Sequence, residues 1–279
     1  MKDLYRDRLL SLGYPDLERL GVEWYREHQH DRDEPSARTL ATLDCLPKLI
    51  DVSLGSIPVT VIGCGPRPLT MRELKRRGYA PVGIEPVEGS ADAAREFLDS
   101  PDAVLAGEAE AIPLPDESQR VVLMESVLEH VDSVSRCLAE CYRVLQPGGV
   151  LFVQTTNRSR FSLRGYTGEY RLPFFNLYPR TVRESYVFHH LHYDPRLANY
   201  TPRPAVHWFS YADLCALGRE AGFGQFYSKL DLSDANSPLI QQRWVSRMLY
   251  RVVRFRPWLR AIALLQFGSA VYMLKRPRP

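Results

Sequence analysis

The feature that most constrains this chain is an alternation of short apolar runs with helical segments between residues 57 and 155. Val59-Thr60-Val61-Ile62 is β-branched and stops at Gly63. It reads as a strand buried on both faces, since a half-exposed strand would alternate apolar with polar residues. Leu69 to Arg77 has helical spacing, Pro81-Val82-Gly83-Ile84-Glu85 reads as a second strand, and Ser90 to Leu98 as a second helix. Val104 to Gly107 and Arg120 to Met124 supply strands three and four. Ser133 to Leu145 is a helix stopped by Pro147-Gly148-Gly149, and Val150 to Thr155 is a fifth strand. Strands joined by helical crossovers lie parallel, with helices on both faces, which predicts a doubly wound α/β domain.

Outside this stretch the texture changes. Residues 1–53 read as helices, with Ser36 as an N-cap for a segment through Leu40, Leu43 and Leu46 that Pro47 ends or kinks. Residues 156–206 are rich in aromatics, prolines and arginines, with helix signals around Thr181 to His190. Ser210 to Ala221 reads as a helix, Phe223 to Leu232 as a sixth strand, 239–255 as an amphipathic helix, and Pro257 as the start of another. Gly268 to Leu274 reads as the last strand.

Composition narrows the class. An apolar content of 45% supports a sizeable core. Cys45, Cys64, Cys137, Cys141 and Cys215 form no CxxC pair, so reduced thiols in a cytoplasmic protein are expected. The N-terminus lacks a signal-peptide run, and no stretch of about 18 apolar residues predicts a spanning helix. After Asp234 there are nine Lys/Arg and no Asp/Glu, whereas the rest of the chain is net −6. Such a tail suits an anionic neighbour.

Ligands of parallel sheets bind at the carboxyl ends of the strands. There the first strand delivers Gly63-Cys64-Gly65-Pro66, and Glu85 ends the second strand about 20 residues on, where a carboxylate can hold ribose hydroxyls. A nicotinamide enzyme would use the same logic, although Pro68 breaks its G-x-G-x-x-G pattern. The next segments are Gly107-Glu108-Ala109-Glu110-Ala111-Ile112-Pro113-Leu114-Pro115-Asp116 and Val127-Leu128-Glu129-His130-Val131. Arg143-Val144-Leu145-Gln146-Pro147-Gly148-Gly149 then precedes the fifth strand. In their order and spacing over about a hundred residues, these segments resemble the type-11 branch of class I S-adenosylmethionine-dependent methyltransferases.

The resemblance implies a Rossmann-like doubly wound seven-stranded sheet whose last strand is antiparallel, with an N-terminal helical cap and helical insertions. One domain would span the chain: N-terminal helices 1–54, cofactor core 55–157, lid 158–206, and sheet completion with a basic helical insertion 207–279. It implies S-adenosyl-L-methionine as cofactor. Gly63, Cys64 and Gly65 would pass their backbone along its methionine part, Glu85 would hold the ribose, Glu108 and Ala109 would read the adenine, and Met124, Glu125 and Ser126 would floor the sulfonium. The pattern departs at Val61, Arg67, Glu108 and Arg120, which leaves weak cofactor binding or a non-catalytic domain open.

A hydroxyl acceptor benefits from a base, and His130 and His207 are the candidates for catalysis. Glu129-His130 and His207 also resemble ligands of ubiquinone-pathway and small-RNA O-methyltransferases. Ser126 stands where those proteins carry another glutamate, so no metal is assigned. The favoured acceptor is a small or lipid-linked metabolite methylated on oxygen. Residues 239–260 offer a peripheral membrane contact, with the protein otherwise cytoplasmic. Nucleic acid is disfavoured by the acidic body and the lack of an RNA-binding module. A non-catalytic adaptor and an RNA 2′-O-methyltransferase are the rival readings.

Overall fold

The computed structural model describes residues 33–52, 56–158, 166–167, 170–171, 177–186, 205, 207–233, 250, 252–253, 256–267 and 270–277. The helices expected before residue 33, most of the aromatic insertion and most of the 239–255 segment lie outside them.

The described chain opens with α1 (Ala37–Cys45), capped by the Ser36 hydroxyl, which accepts from the Thr39 N–H at 3.1 Å. A 3-10 turn over Leu46–Lys48, containing Pro47, ends it. Next come β1 (Ile57–Ile62), α2 (Leu69–Arg76), β2 (Tyr79–Glu85), α3 (Glu88–Leu98), β3 (Val104–Ala106), β4 (Gln119–Glu125), α4 (Val134–Val144) and β5 (Leu145–Gln154). A hairpin of β6 (Tyr166–Thr167) and β7 (Tyr170–Arg171) is followed by α5 (Arg180–Tyr186), α6 (Tyr211–Glu220), β8 (Gln225–Ser228), a single helical turn α7 (Lys229–Leu232), α8 (Pro257–Phe267) and β9 (Ala270–Leu274).

The main sheet has seven strands in the order β3-β2-β1-β4-β5-β9-β8. Strands β1 to β5 pair in parallel, and β9 runs antiparallel between β5 and β8. The expected seven-stranded sheet with an antiparallel last strand is present. Strand order reverses between β1 and β4, and such a switch point leaves a crevice at the carboxyl ends.

Each face of the sheet has its own core. Ile62, Ile84, Val122, Met124, Leu151 and Val153 pack against α4 and α6, where Cys137, Cys141 and Leu214 are buried. Val59, Val121, Leu123, Phe152 and Tyr272 pack against α1, α2 and α3 through Leu43, Met71, Leu74 and Ala91. This two-sided burial is why the strands read as continuous apolar runs.

Two boundaries differ from the sequence reading by more than two residues. The sixth strand stops at Ser228, because the Asp231 carboxylate accepts from the Ser228 N–H at 2.8 Å and from its hydroxyl at 2.7 Å. That capping box turns Lys229–Leu232 into a helical turn. The fifth strand starts earlier, at Leu145, paired to Gln119 ahead of a register shift. Gly148, at φ +75°, takes the chain through that irregularity, and Arg120 donates to the Pro147 carbonyl at 2.9 Å.

Candidate functional site

The first turn is fixed by backbone. Gly63 adopts φ +62° and donates to the Ile84 carbonyl at 2.8 Å. A side chain there would place its Cβ 2.4 Å from Val127, so this glycine lets the β1 turn and the segment after β4 close on one another. Gly65 adopts φ +68°, and a Cβ on it would meet nothing within 4 Å. Its backbone faces open space, as a cradle for a close-lying ligand requires.

Glu85 holds this turn. Its buried carboxylate accepts from the Gly65 N–H at 2.9 Å and, through the other oxygen, from the Val87 N–H at 3.2 Å. A carboxylate has about four acceptor positions and is the chemical type that accepts from hydroxyl donors. Cys64 turns its sulfur inward, toward Gly83, where a Cβ would sit 2.8 Å from it. Burial, and then the Glu85 charge, push the Cys64 thiol up to about 12, so it stays protonated and offers backbone to the site.

Gly107 donates to the Glu85 carbonyl at 3.3 Å, and Glu108 bridges to Ala111 through backbone. Ala109 packs into the core. Met124 is fully buried, with its sulfur 3.9 Å from that of Cys137, so its side chain belongs to the core. Ser126 has φ +56°, a conformation that side chains with a Cβ rarely adopt, and donates to the Gln154 carbonyl at 2.8 Å. Such left-handed residues cluster at ligand sites.

The fold brings the two candidate histidines to one edge. The His130 N–H bonds the Val127 carbonyl in the turn after β4. After the long insertion the chain returns there: His207 donates its N–H to the Glu129 carbonyl at 3.3 Å, and its Nε2 lies 2.8 Å from the Val131 oxygen. Because a carbonyl only accepts, Nε2 carries the proton. The Glu129 carboxylate accepts from Thr155 at 2.5 Å, and Thr156 donates to the His207 carbonyl. Among the described residues no three His, Cys, Asp or Glu side chains are grouped to hold a metal ion.

Two residues, Glu110 and Lys229, enter the site region without having been singled out in the sequence. Glu110 is buried and accepts from the Asp132 and Ser133 N–H groups at 2.7 and 3.2 Å, where α4 begins. Unpaired donors and the helix dipole favour an anion there. Lys229, at the carboxyl end of β8, donates to Gln154 Oε1 at 3.1 Å and lies 5.0 Å from the centre of the Phe152 ring. Glu125 and Arg38 are its charged neighbours. One oxygen of Glu125 is buried with no hydrogen-bond partner among the described residues. Only the capping-box pattern Ser228-Lys229-Leu230-Asp231 could have marked this corner in the sequence.

Burial brings the Lys229 ammonium down to about 8; Glu125 opposes that shift and Arg38 adds to it. Burial also pushes the Glu125 carboxyl up, against the pull of Lys229, Arg38 and Thr39. Between pH 8 and the ordinary lysine value of 10.5, the unfolded chain holds a proton that the folded one has released. Lys229 therefore makes stability rise with pH across that window, with a slope approaching ~1.4 kcal/mol per pH unit. Urea titrations of the wild type and Lys229→Met from neutrality to pH 10.5 should show their difference shifting in favour of the wild type. A pH-independent difference would contradict this account.

A methyltransferase-domain model of the type-11 family matches residues 61–153, which span this turn and the strands around it. A ubiquinone biosynthesis O-methyltransferase of Bradyrhizobium diazoefficiens is 30% identical over 151 residues, covering 53% of this chain and 55% of that protein. A probable S-adenosylmethionine-dependent methyltransferase of Mycolicibacterium smegmatis is 46% identical over 56 residues, 20% of this chain and 22% of that protein. The matches thus span from about a fifth to about half of these relatives' lengths. The methyltransferase solved with the Haloferax volcanii Trm112 activator superposes with TM-score 0.53 at 18% identity, covering 94% of this chain and 98% of its own. A Haemonchus contortus phosphoethanolamine N-methyltransferase solved with S-adenosylhomocysteine gives 0.55 at 12%, covering 98% and 60%. These two structures share the fold.

Proposed function

We propose that this chain, which carries a class I S-adenosylmethionine-dependent methyltransferase domain, transfers a methyl group to an oxygen of a small or lipid-linked metabolite. The observation that carries the reading is the open Gly63–Gly65 turn clamped by Glu85. A backbone cradle with unhindered space beside it, next to a buried carboxylate, fits the methionine and ribose parts of S-adenosylmethionine.

Bound, that cofactor supplies an electrophilic methyl on a sulfonium whose leaving group is neutral, so positioning gives most of the rate. The protein's part follows from its own groups. Gly63, Cys64 and Gly65 align the methionine end with their backbone. Glu85 accepts from the ribose hydroxyls. Glu108 and Ala109 read the adenine edge. Met124, Glu125 and Ser126 form the floor, where the unpartnered oxygen of Glu125 faces a positive charge or a donor. His130 takes the acceptor's hydroxyl proton. His207, tied through Nε2 to Val131, positions the His130 turn. Oxygen is favoured as the acceptor atom by the relatives named O-methyltransferases. Peripheral membrane contact by the basic C-terminal segment is part of the same reading.

Calorimetric titration of the full chain with S-adenosylmethionine and, separately, with NAD tests the proposal. Saturable binding of the former alone is expected. Gly63→Arg, which drives a side chain into Val127, should lose it. Folded protein that binds neither would move the reading to a non-catalytic adaptor, and NAD binding alone would make it a dehydrogenase.

A further inference from the structure

The described residues include nine large apolar side chains that are exposed, and eight of them lie in two places. One is α5 with its lead-in, where Leu177 is 71% exposed and Val182 and Tyr186 also face solvent. The other is α8, preceded by exposed Val252, where Trp258, Ile262 and Leu265 are 62, 55 and 54% exposed. Trp258, Ile262 and Leu265 sit at i, i+4 and i+7, so they form one stripe. A stripe concentrated like this, rather than scattered, marks an interaction surface.

Both helices hang on the carboxyl edge of the sheet. The Leu265 carbonyl accepts from Asn157, just past β5, at 3.1 Å, and Arg260 pairs with Asp231, just past β8, at 2.9 Å. The Arg183 guanidinium of α5 lies 4.8 Å over the Trp208 ring, beside His207. The apolar surface is therefore on the side of the molecule where the cofactor turn opens.

Residues 156–206 carry eight Lys/Arg against three Asp/Glu, and residues 235–279 carry nine against none. With a total of +3, the rest of the chain is net −11. Not all of these basic groups lie at the carboxyl edge or are free for it: Lys275 and Arg276 follow β9 at the opposite, amino edge, where Lys275 donates to the Tyr142 and Leu145 carbonyls, and Arg260 pairs with Asp231. Arg256 is exposed at the start of α8. Exposed apolar stripes at one edge, with the exposed Arg256 beside α8 and a net-basic sequence around both helices, match a lipid surface with anionic headgroups, since such binding combines apolar burial with electrostatic attraction.

We infer that the stripe of Trp258, Ile262 and Leu265 on α8, together with the exposed face of α5, docks this protein on an anionic lipid bilayer, with the carboxyl edge of the sheet turned toward the membrane. The inference rests on the reading of that edge as the methyl-transfer site and narrows its acceptor class to molecules residing in or reaching that surface.

The test is co-sedimentation of the full chain with vesicles of phosphatidylcholine alone and with vesicles containing equal parts phosphatidylcholine and phosphatidylglycerol. The wild type should partition to the anionic vesicles, more weakly as salt rises. The double variant Trp258→Glu/Ile262→Glu should partition at least tenfold less while binding S-adenosylmethionine with unchanged affinity. Unaltered cofactor binding in the variant shows that it is folded and separates this inference from the cofactor reading. A second double variant, Val182→Glu/Tyr186→Glu, should lose partitioning in the same direction. Absence of wild-type binding to anionic vesicles, or full binding by the α8 variant, would overturn the inference. So would concentration-dependent self-association that the α8 variant abolishes in the absence of vesicle binding, which would make the stripe a protein interface.

Discussion

Glu85→Ala should weaken S-adenosylmethionine binding by roughly a hundredfold or more, in protein that stays folded. The carboxylate sits at the end of β2 and bonds the Gly65 and Val87 N–H groups. Removing it deletes the acceptor proposed for the ribose hydroxyls, and hydrogen bonds to a charged group are worth about 1.5–3 kcal/mol each. It also leaves two backbone donors unpaired beside a turn whose conformation depends on them. Every factor of ten corresponds to about 1.4 kcal/mol, so two such losses exceed a hundredfold. Glu85→Gln keeps the shape and one acceptor and should fall between. Calorimetry on the three proteins, with unfolding curves alongside, is the measurement. An affinity for Glu85→Ala within about threefold of wild type would show that the cofactor does not use this carboxylate.

Phe152→Ala should destabilise the fold by about 3–5 kcal/mol, a large fraction of the ~5–15 kcal/mol typical of a domain. Phe152 is fully buried in the middle of β5. Its ring centre is 4.6 Å from that of Tyr272 on β9, and the Lys229 ammonium lies 5.0 Å from it. Tyr272 in turn donates to the Thr42 carbonyl of α1 at 3.1 Å, so the cavity would open where the N-terminal helix meets the sheet. Urea unfolding should show a lower midpoint with a similar slope. By contrast, Val52→Ala, at an exposed position, should change stability by less than about 0.5 kcal/mol. If the two variants unfold alike, the β5–β9–α1 core is not where the stability lies.

Much of the fold was legible because its signals are local. The strands β1, β4 and the second half of β5 are buried on both faces, and burial of that kind writes itself as runs such as Val59-Thr60-Val61-Ile62 and Val150-Leu151-Phe152-Val153. Ser36, Ser133 and Ser210 were readable as helix starts because their hydroxyls accept from a backbone N–H three residues on, at 3.1, 3.4 and 3.2 Å. The end of β8 was misread because Phe223 to Leu232 has a strand-like composition, while the capping box of Ser228 and Asp231, also local, outweighs it. The early start of β5 was misread because Pro-Gly-Gly signals a stop, yet pairing of Leu145 with Gln119 holds the chain extended through it.

By itself the sequence determined the order of strands and helices, the glycine turn after β1 and the acidic residue ending β2. Each of these depends on backbone geometry and burial within a few residues. Only the tertiary structure decided what those residues touch. It aimed Met124 and Ala109 into the core, and it set Glu85 on Gly65 across 20 residues of chain. It returned His207 to the turn of His130 after a long insertion, and it placed Lys229 from the end of β8 beside Glu125 from the end of β4. None of these has a sequence period, because they arise where the carboxyl ends of different strands converge. Convergence of that kind is a property of the closed sheet and its strand order, and a residue's immediate neighbours in the chain do not carry it.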